Sequence, residues 1–247
     1  MNTVLFDLDG TLLPMDQDEF VKAYFKELAA KGISLDYEPK KMVQAVLDGF
    51  EAMVRNDGTA TNEELFWETF KEDFGSDVHS HVSEFERFYA NEYRRVKNVV
   101  HPTPLAGQYI KILRSKGYRI ILATNPVFPR VAILERIRWA GMDPGDFDLI
   151  TTYEDFHFAK PNLAYYQEII DKMGREPQDC IMIGNDVQED MCAASLGMDT
   201  FLVTDDLINT TGEDISCYTR GDRTALLDFI NELPVVDQNF KELTQEA

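Results

Sequence analysis

Near the N-terminus the chain runs Val4-Leu5-Phe6-Asp7-Leu8-Asp9-Gly10-Thr11. Three apolar residues run straight into a carboxylate, a second carboxylate two positions on, and a glycine. The pattern predicts a short buried strand that ends in a loop. In extended backbone alternate side chains share a face, so Asp7 and Asp9 point the same way. Two carboxylates side by side in a closed site repel one another and call for a cation. Gly10 allows the backbone to approach a ligand closely.

Downstream of this stretch the periodicity changes. Phe20, Tyr24, Phe25 and Leu28 recur at helical spacing, as do Met42, Val46, Leu47 and Phe50. Leu65, Phe66, Phe70 and Phe74 repeat the pattern, followed by Phe85, Phe88 and Tyr89. Turn signals at Lys31-Gly32, Asn56-Asp57-Gly58 and Gly75-Ser76 separate the runs. Residues 14–101 therefore read as an all-helical insert of about four helices. Its aromatics are read as core.

Beyond His101-Pro102-Thr103-Pro104 strands and helices alternate. Helices are expected over 105–116, 127–140, 161–173, 187–196 and 224–233, and strands over 118–124, 149–152, 180–184 and 200–203. Strict alternation argues a doubly wound α/β fold, a parallel sheet with helices on both faces. The expected organisation is an α/β core of residues 1–13 and 102–233, the helical cap 14–101 inside it, and a short mobile C-terminal tail, 234–247.

Sheets of this type bind ligands at the carboxyl ends of their strands, and the polar residues cluster there. The first strand runs into Asp7-Leu8-Asp9-Gly10-Thr11 and the second into Thr124-Asn125. Lys160-Pro161 follows the third. The fourth runs into Gly184-Asn185-Asp186, with Asp190 four residues on.

These four segments, in this order, resemble the four motifs of the haloacid dehalogenase-like (HAD) superfamily, and the insert resembles that superfamily's C1-type helical cap. The resemblance implies a phosphohydrolase that uses Mg²⁺, a hard cation bound by oxygen ligands. Asp7 would be the nucleophile, forming an aspartyl phosphate, and also a metal ligand. Asp9 would lend its backbone carbonyl to the metal and act through its side chain as general acid and then base. Thr124 would bond a phosphate oxygen, and Lys160 would supply a point cation to the phosphate and to Asp7. Gly10, Thr11 and Asn125 are expected around the substrate. Arg55 is a candidate substrate contact from the cap, beside its reading as a cation at a helix C-terminus. Asp186 aligns with the metal ligand of the fourth motif. Asp190 stands behind it as an orienting or alternative ligand. Many members read Gly-Asp where this chain reads Gly184-Asn185-Asp186, so Asn185 is an alternative to Asp186.

The expected function is hydrolysis of a small soluble phosphate monoester, with the cap as a lid. A sugar-phosphate phosphomutase would use the same residues and is the alternative. A non-catalytic binding protein that kept the fold is disfavoured by intact Asp7, Asp9, Lys160 and Asp186. A dehalogenase is disfavoured by the presence of Asp9. A phosphonatase would need a cap lysine, for which Lys22, Lys26, Lys40 and Lys41 are candidates. His79 and His81, two apart on an expected helix, do not share a face and are read as surface residues. His101 and His157 border loops with no specific signal.

Acidic residues outnumber basic ones 44 to 24, a formal net charge of -20. Such a field repels nucleic acids and anionic membranes, so neither is an expected partner. The expected partner is a small phosphorylated metabolite, and protein partners are not indicated. An anionic substrate must then be met by a local positive site. Cys180, Cys192 and Cys217 show neither zinc spacing nor a disulfide framework. The chain enters a strand at once, without a basic leader, and no apolar run reaches membrane-spanning length. A cytoplasmic location is expected.

Overall fold

A computed structural model describes residues 1–75 and 82–236. His79, His81 and residues 237–247 of the expected tail lie outside the described residues.

Six parallel strands form one sheet in the order β3-β2-β1-β4-β5-β6. They are β1 (Thr3–Phe6), β2 (Arg119–Leu122), β3 (Leu149–Ile150), β4 (Cys180–Gly184), β5 (Asp199–Val203) and β6 (Arg220–Gly221). The expected parallel α/β architecture is thus observed. Along β1 the side chains split by parity. Val4 and Phe6 join one apolar cluster and Leu5 another, as strand alternation requires of a sheet buried on both faces. The first face is covered by α5 (Pro104–Ser115), α6 (Arg130–Trp139) and α8 (Arg223–Glu232), through residues such as Tyr109, Ile133 and Leu226. The second is covered by α7 (Leu163–Met173), through Tyr165, Ile169 and Ile170.

The strand order reverses at β1. Its register sets Phe6 beside Leu122 on one side and Ile183 on the other. The next residues, Asp7, Ala123-Thr124 and Gly184-Asn185, therefore emerge together at one edge. This is the switch point at which open α/β sheets leave a crevice.

Between β1 and α5 the described residues form four helices, α1 (Gln17–Ser34), α2 (Pro39–Val54), α3 (Asn62–Phe74) and α4 (Val82–Ala90), and then a 3-10 stretch, Glu92–Val99. Exit and return run side by side, since Met15 bridges Val100 and the His101 N–H donates to the Pro14 carbonyl at 2.8 Å. Local chemistry fixes the helix starts. Asp16 caps α1 by accepting the Glu19 N–H at 2.9 Å. Thr61 and Glu64 form a reciprocal capping box on α3. The aromatics of the insert are core, as expected. Tyr24, Phe70, Phe88 and Tyr93 are buried in the apolar cluster that also lines the first face of the sheet.

The helices are packed onto the core at two kinds of contact. Phe128, in the loop after β2, meets Tyr24 and Phe50 with ring centroids at 5.3 and 5.4 Å. Buried Asn62, at the start of α3, donates to the Pro126 carbonyl at 3.1 Å and accepts from Asn56 at 2.8 Å. Its own N–H donates to Phe156 at 2.8 Å.

The structure departs from expectation at four points. The predicted helix 187–196 is only a 3-10 turn at Met191–Leu196. The Asp186 carboxylate accepts the N–H groups of Gln188 and Glu189, each at 2.8 Å, and keeps that segment in a turn. The helix after Lys160 starts at Leu163 with Asn162 as its cap, so Pro161 precedes the helix. Finally, β6 was not expected, because two residues carry no periodicity to read. Residues 234–236 are not loose: the Tyr118 hydroxyl donates to the Pro234 carbonyl at 3.0 Å, and the Val236 N–H to Lys116 at 2.8 Å.

Candidate active site

A cleft of about 170 Å³ lies at the strand edge, beneath the start of α1. Its lining includes Asp7, Asp9, Thr124, Asn125, Asn185, Asp186 and Asp190. Seven of the residues singled out from sequence therefore share one space.

Asp7 is held in the sheet ladder by its own N–H, which donates to the Ile183 carbonyl at 2.9 Å. Its carboxylate accepts from the Lys160 ammonium at 2.8 Å. Lys160 also donates to Asp190 at 2.6 Å and is only 1% exposed. The other Asp190 oxygen accepts the Asp186 N–H at 3.0 Å. Asp190 thus spends both oxygens on orienting its neighbours, which suits the orienting role better than direct ligation. Gly184 is required here because a Cβ at that position would run into the Asp190 carboxylate.

Burial pushes the Asp7 carboxyl up to about 7; Lys160 opposes the shift, while Asp190 and Asp9 add to it. Burial works against the charge of Lys160 too, but Asp190 and Asp7 outweigh it and hold the ammonium well above the usual lysine range. A lysine that is always charged beside a carboxylate that is reluctant to ionise is an anion-receiving arrangement.

Thr124 is 3% exposed and lines the cleft. Its carbonyl is fixed by the hydroxyls of Thr151 at 2.6 Å and Tyr165 at 2.9 Å. The Asn125 amide oxygen accepts the Lys160 N–H at 3.2 Å, and its amide nitrogen faces the Glu189 carboxylate at 3.2 Å.

Other expected residues stand behind the cleft or away from it. Gly10 and Thr11 do not line it. Gly10 has a φ of 82°, its carbonyl accepts from Arg223 at 2.6 Å, and a Cβ there would strike Asn185. The Thr11 hydroxyl donates to the Asn185 amide oxygen at 3.0 Å, and the Asn185 amide donates to the Asp206 carbonyl at 2.6 Å. These residues brace the loop that carries Asp9. Arg55 is exposed at the C-terminal end of α2 and paired with Glu51 at 2.5 Å, so the structure does not bring it to the cleft. Its cationic position near a helix C-terminus satisfies it locally. His157 pairs with Glu168 at 2.9 Å, and His101 is exposed.

Two charged residues of the cleft were not expected from sequence. Glu189 sits between Asp186 and Asp190, and burial pushes its carboxyl up to about 8. Arg136, on α6, is 1% exposed and forms an ion pair with the Asp9 carboxylate. The sequence carries no signal for Arg136, since α6 also holds Arg130, Glu135 and Arg138 and its pattern does not mark one of these charges as buried.

The donor set suits a hard cation. One Asp7 oxygen and one Asp186 oxygen have no hydrogen-bond partner among the described residues, nor does the Asp9 carbonyl. Among those residues no three acidic, histidine or cysteine side chains close on one point. A metal here would be held by two carboxylates and a backbone oxygen, with the remaining positions filled by water or substrate.

The family model of the haloacid dehalogenase-like hydrolases matches residues 1–197. Among curated proteins, pyrophosphatase PpaX of Bacillus pumilus (strain SAFR-032) is 24% identical over 205 residues, 81% of this chain and 82% of that one. Glyceraldehyde 3-phosphate phosphatase of Methanothermobacter thermautotrophicus is 28% identical over 143 residues, 57% of this chain and 61% of that one. Among solved structures, a HAD phosphatase from Thermococcus onnurineus superposes with a TM-score of 0.61 at 20% identity, covering 96% of this chain and all of that one, a likeness of fold.

Proposed function

The chain belongs to the haloacid dehalogenase-like hydrolases, and from that premise we propose that it is a magnesium-dependent phosphatase of a small phosphate ester, working through an aspartyl phosphate on Asp7. The observation that carries this reading is the Lys160–Asp7 contact, 2.8 Å long and buried, at a cleft that also holds Asp9 and Thr124. The division into a core of residues 1–13 and 102–233 with residues 14–101 as a lid belongs to the same proposal. The relatives act, by name, on pyrophosphate and glyceraldehyde 3-phosphate, which supports a small phosphorylated substrate.

In the first step an Asp7 oxygen attacks phosphorus. The bond from phosphorus to the leaving oxygen breaks, its electron pair stays on that oxygen, and Asp9 supplies the proton. In the second step Asp9 takes a proton from water, whose oxygen attacks phosphorus and returns the electron pair to Asp7. Lys160 balances charge on Asp7 and the transferred group, and Thr124 offers a hydroxyl to a phosphate oxygen. Magnesium, held by Asp7, Asp186 and the Asp9 carbonyl, would neutralise phosphate charge. Asp190 keeps Lys160 and the Asp186 loop in place. The field of a chain with net charge -20 is overcome only at such a local site.

The test is phosphate release from a panel of esters, including glycerol phosphates, glyceraldehyde 3-phosphate, phosphoglycolate, pyrophosphate and p-nitrophenyl phosphate, with Mg²⁺ or with EDTA. Release that requires Mg²⁺ and disappears in Asp7→Asn is expected. Release that survives EDTA, or survives Asp7→Asn, would contradict the reading.

A further inference from the structure

Arg136 is buried at a cost and has a single polar partner among the described residues. Its guanidinium pairs with Asp9, while its Nε and Nη2 are buried with no hydrogen-bond partner among the described residues. A desolvated charge that makes one contact is a poor way to stabilise a fold, and an apolar residue of similar size would serve at least as well. Its packing is nevertheless specific. The guanidinium lies 4.4 Å from the Phe128 ring centroid and 5.8 Å from that of Phe20. Phe128 belongs to the core loop after β2, and Phe20 to α1 of the helical insert. The arginine is therefore held between core and insert, with its one engaged nitrogen aimed at a carboxylate of the cleft.

We propose that Arg136 is the positioning residue for Asp9, fixing the carboxylate at the leaving-group end of the cleft, and that its hold depends on the insert being seated. This rests on the reading of Asp9 as the proton donor and acceptor. The ion pair fixes one Asp9 oxygen. The other, Oδ1, is also without a partner among the described residues and is the atom free to carry the proton. When that proton passes to the leaving oxygen, the electron pair of the broken O–H bond stays on Asp9, and the guanidinium faces the carboxylate so formed. Phe20 supplies one wall of the arginine's slot, so displacement of α1 would free Arg136 and leave Asp9 unaligned.

The test compares kcat/KM for the native chain, Asp9→Asn, Arg136→Met and the double variant. Two esters are used: the best alkyl phosphate of the panel, whose leaving oxygen needs a proton, and p-nitrophenyl phosphate, whose phenolate does not. Arg136→Met is expected to lose on the order of 10²-fold on the alkyl ester, the range for a misplaced general acid. On p-nitrophenyl phosphate it should lose about tenfold less than that, and in the Asp9→Asn background it should cost nothing further. Equal losses on both esters, or an additional loss in the double variant, would overturn the proposal. If circular dichroism shows Arg136→Met unfolded, the decision falls to Asp9→Asn against the double variant, in which both buried charges are gone. A separate failure is visible in Asp9→Asn alone: if it spares the alkyl ester, Asp9 is not the proton donor, whatever Arg136 does.

Discussion

A buried carboxyl group keeps its proton to a higher pH than one in water, and in this cleft Asp7, Asp9, Asp186 and Glu189 all do. Asp7 is pushed up to about 7 and Glu189 to about 8, against ordinary values of 3.8 and 4.5. Between the ordinary and the raised values the folded chain holds protons that the unfolded chain has lost. The stability this contributes is complete below the ordinary values and is lost as pH rises through the raised ones. The metal-free protein should therefore melt at progressively lower temperature as pH climbs from about 5 to about 8. Glu189→Gln, which cannot ionise, should flatten a large part of that slope. Thermal melts across this range in EDTA read the effect directly, and a melting temperature that rises with pH would contradict it. At this scale the sequence was informative where residue type and strand-end position coincide, as at Asp7, Asp9, Thr124 and Lys160. Glu189 and Arg136 were not legible, because their meaning lies in what surrounds them. An arginine on a helix is ordinarily a surface residue, and only tertiary packing shows this one buried against Asp9.

The elements depend on short polar devices as much as on periodicity. The helical runs around Tyr24, Val46, Phe70 and Phe88 could be read from spacing alone, and each is a helix in the structure. Positions 187–196 also looked helical, but the Asp186 side chain captures two N–H groups and holds the first part in a turn. Short side-chain hydrogen bonds of this kind compete with helix formation without leaving a periodic trace. Asn62 was likewise invisible as a fastener. It caps nothing, yet it ties the start of α3 to the loops after β2 and β3. Asn62→Ala should cost about 1–3 kcal/mol, because the Pro126 carbonyl and the Asn56 amide would be left buried without it. Chemical denaturation measures this. A change below about 0.5 kcal/mol, the size typical of a surface substitution, would show that the insert is not fastened there.

Across the whole molecule, sheet order and register bring distant segments of sequence to one edge. Asp7 and Lys160 are separated by 153 positions and joined at 2.8 Å. That convergence was readable, because strand ends in an alternating α/β pattern must gather at one side. The packing of the insert on the core was not, since it depends on contacts such as Phe128 with Tyr24 that carry no sequence signature. The net charge of -20 also acts at this scale. It opposes the approach of an anionic ester, and added salt screens the opposition. The value of kcat/KM should rise a few-fold between about 10 and 150 mM NaCl at fixed free Mg²⁺. A steep fall would indicate that a positive local field steers the substrate instead. The proposed passage of the phosphoryl group through Asp7 can be read by acid-quenching the enzyme during turnover and mapping the phosphorylated peptide by mass spectrometry. A single acid-stable phosphoryl group on Asp7, formed within the first turnover and absent in Asp7→Asn, is expected. Turnover with no phosphoenzyme at any quench time, or with the group on another residue, would contradict it.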